Sequence, residues 1–104
     1  MKWYRQAAGL GERIAMDLIG GMYENGHGVD RDYVQAAAWY RRSAEAGYTN
    51  GMHDLARLYA AGNGVVKDYA QAIEWYRKSA AGGNAASMTS LGVLYEDGHG
   101  VPGR

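Results

Sequence analysis

The feature that most constrains the fold is a motif that returns every 36 residues. The triplet Trp-Tyr-Arg stands at residues 3–5, 39–41 and 75–77, and the loop motif Gly-x-Gly-Val stands at 26–29, 62–65 and 98–101. The copies align over the whole chain without an insertion or a deletion. A fixed period of this length is typical of an array built from one repeated structural unit.

Each unit reads as two amphipathic helices. In the first helix of unit one the apolar residues have the spacing of a single helical face. They are Ala15, Ile19, Met22 and Tyr23. The second helix shows the same periodicity at Tyr33, Ala36, Ala37, Tyr40 and Ala44. Neither helix can bury its apolar face alone, so consecutive units must stack.

Glycine and aspartate mark the helix ends. Gly26 and Gly47 follow the two apolar stripes and suit the left-handed residue that ends a helix. Asp32 has the side chain of an N-cap, and Gln35 stands at capping-box distance behind it. The Gly-His-Gly of residues 26–28 is therefore interpreted as a turn between helices and not as a phosphate-binding loop, because no strand or P-loop lysine accompanies it.

These patterns predict an all-α fold, a right-handed α-solenoid of stacked antiparallel helix pairs. We expect one domain over residues 1–104, with a remnant second helix at 1–11, repeats at 12–47 and 48–83, and a partial repeat at 84–104. Because solenoids need capping repeats, we expect either a longer parent array or self-association through the incomplete terminal repeats.

The composition excludes several classes of function. Eleven basic and eleven acidic residues give a formal net charge of zero, which does not favour nucleic acid or an anionic membrane. Cysteine is absent, which excludes disulfides and thiolate chemistry. The longest apolar run, residues 36–40, is too short to span a bilayer. We expect a cytoplasmic protein, unless the chain is a fragment of a secreted or periplasmic parent whose targeting segment is missing.

The repeated residues resemble those of the Sel-one-like repeat family, a relative of the tetratricopeptide repeat. The resemblance rests on a leucine or isoleucine with a small residue, a tyrosine, the Gly-x-Gly-Val loop, an Asp-Tyr pair and a Trp-Tyr pair, and it covers residues 19–47, 55–83 and 91–102. It implies an adaptor that holds other proteins together. A cysteine-rich branch linked to β-lactams depends on inter-helix disulfides that this chain cannot form.

Several residues with chemical side chains have simpler explanations. Glu24 and His27, like Glu96 and His99, have the Glu-x-x-His spacing of di-metal sites, but each pair straddles a helix end and the middle copy has Ala60 and Asn63. No histidine or carboxylate accompanies Ser43, Ser79, Ser87 or Ser90 at the spacing of a known catalytic triad. We therefore predict no metal and no cofactor.

The positions that differ between repeats are free to recognise a partner. On the first helices they are Ile14/Asn50/Ala86, Asp17/His53/Thr89, Leu18/Asp54/Ser90, Gly21/Arg57/Val93 and Glu24/Ala60/Glu96. Their spacing places them on one helical face, which we call the inner surface. We predict a non-enzymatic scaffold that binds a protein or peptide there. The central contacts would be Asn50, His53, Asp54 and Arg57, with Asp17, Glu24 and Thr89 beside them.

Two alternatives stay open. One is a hydrolase in which His53, with Asp17 or Asp54, acts as a general base. Because Asp54 follows His53 directly on a helix, its side chain is expected to point elsewhere, and His53 is expected on the side away from the packing face. The other alternative is a purely structural spacer without a partner.

Overall fold

The architecture is a row of α-helices. The computed structural model describes the backbone of residues 2–96 and the side chains of residues 11–96. Within that range there are five helices and no strand: α1 Lys2–Asn25, α2 Tyr33–Glu45, α3 Thr49–Ala61, α4 Tyr69–Ala81 and α5 Ala85–Glu96. The predicted all-α fold class is confirmed. The third copy of the loop, with His99, lies outside the described residues.

Two apolar clusters fill the space between the helices. The first joins α2 to α3 through buried residues that include Ala36, Tyr40, Leu55 and Leu58. The second joins α3, α4 and α5 through Ala56, Ala72, Ile73, Tyr76 and Leu94. Trp75 packs against both clusters. The core therefore continues from one helix pair to the next, as stacking requires.

Helix α1 contains two of the predicted helices. The remnant second helix and the first helix of the next unit run together as Lys2–Asn25, and Gly11 interrupts them with non-helical torsion angles of φ −137° and ψ 53°. Its counterparts Gly47 and Gly83 instead have φ 96° in both cases. The chain thus has only a kink at Gly11. At Gly47 and Gly83, by contrast, a turn separates the second helix of one unit from the first helix of the next.

The predicted helix ends are confirmed. Gly26 and Gly62 take left-handed conformations, with φ of 73° and 74°. The Asp32 carboxylate accepts a hydrogen bond from the Gln35 backbone N–H at 3.1 Å. Asp68 caps α4 in the same way through Gln71. The helix ends are therefore built from glycines and capping aspartates that the repeat itself supplies.

Helix α5 has one less-covered face in the described part of the chain. Met88 is 52% exposed, whereas its counterpart Met16 is 9% exposed. A Cβ atom on Gly20 would meet the Tyr40 ring, but a Cβ atom on Gly92 would meet nothing within 4 Å. The self-association expected from the terminal repeats stays a prediction.

Candidate functional site

The structure brings four of the predicted contact residues together on the inner surface. Asp17 and Glu24 lie on α1, Asp54 and Arg57 lie on α3, and the two helices contact each other. Tyr40 of α2 reaches the same place. We call these five residues the charged cluster, and the contact between α1 and α3 the first seam.

An ion pair between Glu24 and Arg57 crosses the first seam. Arg57 Nη1 donates to Glu24 Oε2 at 3.0 Å, and Nη2 donates to Oε1 at 2.8 Å. The Tyr40 hydroxyl donates to the same Oε1 at 2.6 Å. The Arg57 hydrogen bonds lower the pKa of Glu24 against the effect of burial, and Tyr40 adds to that shift. Such a bidentate geometry fixes both side chains.

Two carboxyl groups meet beside that ion pair. Asp54 Oδ1 accepts from Arg57 Nη2 at 3.2 Å and from Nε at 3.4 Å. Asp17 is within hydrogen-bonding contact of Asp54, and burial together with this neighbour raises the pKa of Asp17 to about 8. Burial would also raise the pKa of Asp54, but hydrogen bonds from His53 and Asp17 and the Arg57 charge hold it below its ordinary value.

His53 lies at the next contact, between α3 and α5, which we call the second seam. Its ring stands 5.4 Å from the Tyr76 ring between centroids. Its Nε2 is 3.5 Å from Ser90 Oγ, and its Nδ1 is 3.8 Å from Asp54 Oδ1. The expectation that His53 points away from the packing, with Asp54 pointing elsewhere, is wrong. Tyr76 of α4 and Ser90 of α5 contact His53 on this face of α3, which the sequence of one helix does not show.

The remaining predicted contacts are exposed. Asn50 donates to the Tyr48 hydroxyl at 2.9 Å and accepts from Asn84 at 2.7 Å. Thr89 donates to the Ala85 carbonyl of its own helix at 3.3 Å. Neither residue belongs to the charged cluster, so the structure divides the seven predicted contacts into an interlocked group of four, His53 at the second seam, and an exposed pair.

Exposed apolar side chains flank the charged cluster at other non-repeating positions. Ile14 and Leu18 of α1 are 45% and 44% exposed, and Val93 of α5 is 52% exposed. All three lie on the inner surface, because each stands at the repeat position of a charged or polar residue of α3. Isolated exposed apolar residues are common, but here they lie on both sides of one polar cluster.

Sequence reasoning missed Tyr40 and Tyr76 as members of this region, and it placed Ser90 on the inner surface without naming it as a contact residue. The sequence separation between contacting residues contains a signal for the contact of Ser90. Ser90 lies 37 residues after His53, and Asp54 lies the same distance after Asp17. Glu24 and Arg57 are 33 residues apart. The residues that meet between neighbouring first helices are therefore separated by one repeat length plus one residue, or by one repeat length minus three residues.

The serine and loop residues have structural roles. Ser43 Oγ donates to the Arg13 carbonyl at 2.5 Å, and Ser79 Oγ donates to the Thr49 carbonyl at 2.8 Å. The Ser87 hydroxyl donates to that of Ser79 at 2.7 Å. All three serines are fully buried, which places them in the packing between helices. His27 is exposed in its loop.

The described residues contain neither a candidate metal-binding cluster nor a candidate membrane-spanning helix. No group of three or more histidine, aspartate or glutamate side chains there could hold a metal ion. No helix in that part of the chain combines the length and the apolar character that crossing a membrane needs.

The chain resembles solved structures of other repeat proteins. A protective antigen from uropathogenic Escherichia coli with an SLR fold is 39% identical over 97% of this chain, with a TM-score of 0.91. The chain spans only 22% of that protein. A Sel1 repeat protein from Oxalobacter formigenes is 41% identical, and the cysteine rich protein B of Helicobacter pylori is 28% identical. Each match covers 86% of this chain and 68% of the other, with TM-scores of 0.81 and 0.80.

Sequence comparisons identify the repeat itself. A search of curated protein sequences gives no significant match. The family model described as Sel1 repeat matches residues 1–12, 13–48, 49–84 and 85–103. These matches cover nearly the whole chain, and the three solved structures described above share its fold. The chain therefore belongs to the Sel1 repeat family.

Proposed function

We propose that the chain is a non-catalytic interaction module that holds a peptide or protein segment against its inner surface. Sel1 repeat proteins generally serve as protein-interaction scaffolds, and they are typically not enzymes. The observation that carries the proposal for this chain is the arrangement of its non-repeating residues. Exposed apolar side chains of α1 and α5 lie on either side of the interlocked charged cluster.

The apolar residues would provide most of the affinity. Leu18 still exposes 44% of its surface. Since burying a whole leucine contributes about 1.5–3 kcal/mol, covering this remainder contributes roughly 1 kcal/mol. A segment that covers Ile14, Leu18 and Val93 together would gain several such increments. A partner with apolar side chains spaced to reach both patches therefore suits the surface.

The charged cluster would provide orientation. Arg57 is 39% exposed at its side chain, so its guanidinium can donate to a carbonyl of the partner. Glu24 and Asp54 hold that guanidinium in place before a partner arrives. A donor already fixed in one position loses little conformational freedom on binding, which favours specificity.

The test is selection of peptides from a random displayed library on the full chain, followed by affinity measurement with fluorescence anisotropy. Leu18→Ser should weaken binding about fivefold to tenfold, because a loss of roughly 1 kcal/mol corresponds to that change. The matched control is Val34→Ser, since Val34 is 65% exposed but lies on the second helix α2.

The affinities of the two variants show whether the peptide binds at the inner surface. Equal affinities for Leu18→Ser and Val34→Ser would place the partner away from the inner surface. Failure to select any peptide would favour the structural spacer instead. Circular dichroism of each variant confirms that the fold is intact, so that a loss of binding is not a loss of structure.

One observation favours a second candidate, a hydrolase. Ser90, His53 and Asp54 lie in the order of a catalytic triad. The two contacts of 3.5 Å and 3.8 Å are longer than the 2.6–3.2 Å that proton transfer needs. Arg57 also occupies the Asp54 oxygen that would orient the histidine. Turnover of an activated ester that both Ser90→Ala and His53→Gln abolish would support the hydrolase over the scaffold.

A further inference from the structure

The first seam places carboxyl against carboxyl. Asp17 of α1 and Asp54 of α3 are in hydrogen-bonding contact, yet two ionised carboxylates can only accept. Asp17 Oδ1 is buried and has no hydrogen-bond partner among the described residues. A proton on Asp17 resolves the conflict, because the neutral acid can donate to Asp54.

We propose that the first seam is a proton-dependent clasp, in which Asp17 stays protonated and donates a hydrogen bond to Asp54, and loss of that proton loosens the contact between α1 and α3. The clasp joins the first helices of two neighbouring repeats and lies on the inner surface. It would act whether or not a partner binds there.

The neighbouring charges do not remove the need for the proton. Within the described residues, the charged and titratable groups around the pair are Glu24 on α1, Tyr40 on α2, His53 and Arg57 on α3, and Tyr76 on α4 beside Asp54. Arg57 supplies the positive charge closest to the pair, and Glu24 and Asp54 already share it. A third carboxylate would add repulsion in a half-buried place.

The direction of the pH dependence follows from the pKa values. Asp17 has a pKa of 3.8 as a free side chain and about 8 in the folded chain. Between these values the folded chain holds a proton that the unfolded chain has lost. Folding stability therefore falls as pH rises from about 4 to about 8, and it levels off above that range. For one proton the folding equilibrium constant changes by at most about tenfold per pH unit.

Glu24 and Asp54 act in the opposite direction and at lower pH. Their pKa values are lowered by folding. Their contributions are therefore present above their unfolded pKa values and are lost as pH falls through the folded ones. The effect of Asp17 can thus be read separately, between pH 6 and pH 9.

The experiment compares the full wild-type chain with Asp17→Asn and Asp30→Asn by urea unfolding between pH 6 and pH 9. Asparagine at position 17 can donate its amide to Asp54 at every pH, so it mimics the protonated acid. Asp30 is exposed in the loop after α1, and its replacement is the same exchange of a carboxyl group for an amide at a site away from the seam.

We expect Asp17→Asn to remain stable at pH 9. Between pH 6 and pH 9 the folding equilibrium constants of wild type and Asp30→Asn should fall at least tenfold more than that of Asp17→Asn. Carbon-13 NMR of the carboxyl carbons should show one aspartate midpoint above pH 7 in wild type and in Asp30→Asn, but not in Asp17→Asn. The same pH dependence in all three chains, or aspartate midpoints that all lie below pH 5, would overturn the proposal. If Asp17→Asn fails to fold, the wild-type NMR titration decides by itself.

Discussion

The two seams between first helices use the same register but different chemistry. In the first seam, Glu24 and Arg57 form an ion pair across a separation of 33 residues. In the second seam, the residues at those positions are Ala60 and Val93. Both seams join first helices of the repeat, and the side chains at non-repeating positions set the chemistry of each seam.

The equivalent tyrosines of the two second helices have different hydrogen-bond partners in the two seams. Tyr40 donates to Glu24 in the first seam. Tyr76 stands at the same position of the next repeat, where Ala60 offers no acceptor, and its hydroxyl is hydrogen-bonded to Ser90. One repeated residue thus supports an ionic contact in one seam and a neutral contact in the other. The repeat fixes where the seam lies, and the variable residues decide what it does.

The largest effect that would sharpen this comparison is expected at Gly64, in the loop of the second repeat. Gly64 has φ 73°, and an added Cβ would overlap the Tyr33 carbonyl of the preceding repeat. Gly28 has φ 78°, but the nearest atom to its added Cβ is the terminal methyl of Met22 at 3.4 Å. Gly64→Ala should therefore lower the free energy of unfolding by about 3 kcal/mol or more, and Gly28→Ala by about 1 kcal/mol.

Urea unfolding followed by circular dichroism measures both variants under one condition. Gly28→Ala serves as the control, because it introduces the same positive-φ strain without the clash against a neighbouring repeat. Equal losses in the two variants would show that the second loop does not rest on the first repeat.

An intermediate effect is expected from breaking the ion pair of the first seam. Arg57→Val leaves Glu24, which is 15% exposed, without its cation. Because Arg57 itself is 39% exposed, solvent screening limits the loss to about 1–2 kcal/mol. The double variant Glu24→Ala, Arg57→Val reproduces the residues of the second seam and should lose less than the two single variants together.

A double-mutant cycle gives the coupling energy, which we expect to be about 1 kcal/mol. Glu74→Ala is the control for removing a carboxylate, since Glu74 is exposed on α4. Strict additivity of the two first-seam substitutions would mean that the ion pair contributes nothing beyond its separate side chains.

The smallest effect is expected from the reverse exchange. Ala60→Glu together with Val93→Arg transfers the ionic pair into the second seam, where Tyr76 can donate to the new carboxylate as Tyr40 does to Glu24. Such a half-exposed pair should stabilise the fold by about 0.5 kcal/mol. Thermal unfolding of the double variant and of each single variant checks this value. A double variant less stable than both singles would show that the two seams differ in backbone spacing and not only in side chains.

Most of the fold was predictable because each local signal agreed with the repeat. Gly26 and Gly62 end first helices in the left-handed conformation, and Asp32 caps α2. Both features depend on residues close in sequence, so a single chain displays them directly. The kink at Gly11 was not predictable, because the equivalent glycines of the later repeats, Gly47 and Gly83, lie in turns between two separate helices.

The candidate site was predictable only in part. The sequence alone determined the period, the helix pairs and the face on which non-repeating residues gather. Only the tertiary structure decided that Asp17 meets Asp54, that Glu24 meets Arg57, and that His53 faces Tyr76 and Ser90. These contacts depend on how far one first helix is displaced along the next. The packing of bulky side chains between the helices sets that displacement, and no local pattern in the sequence records it.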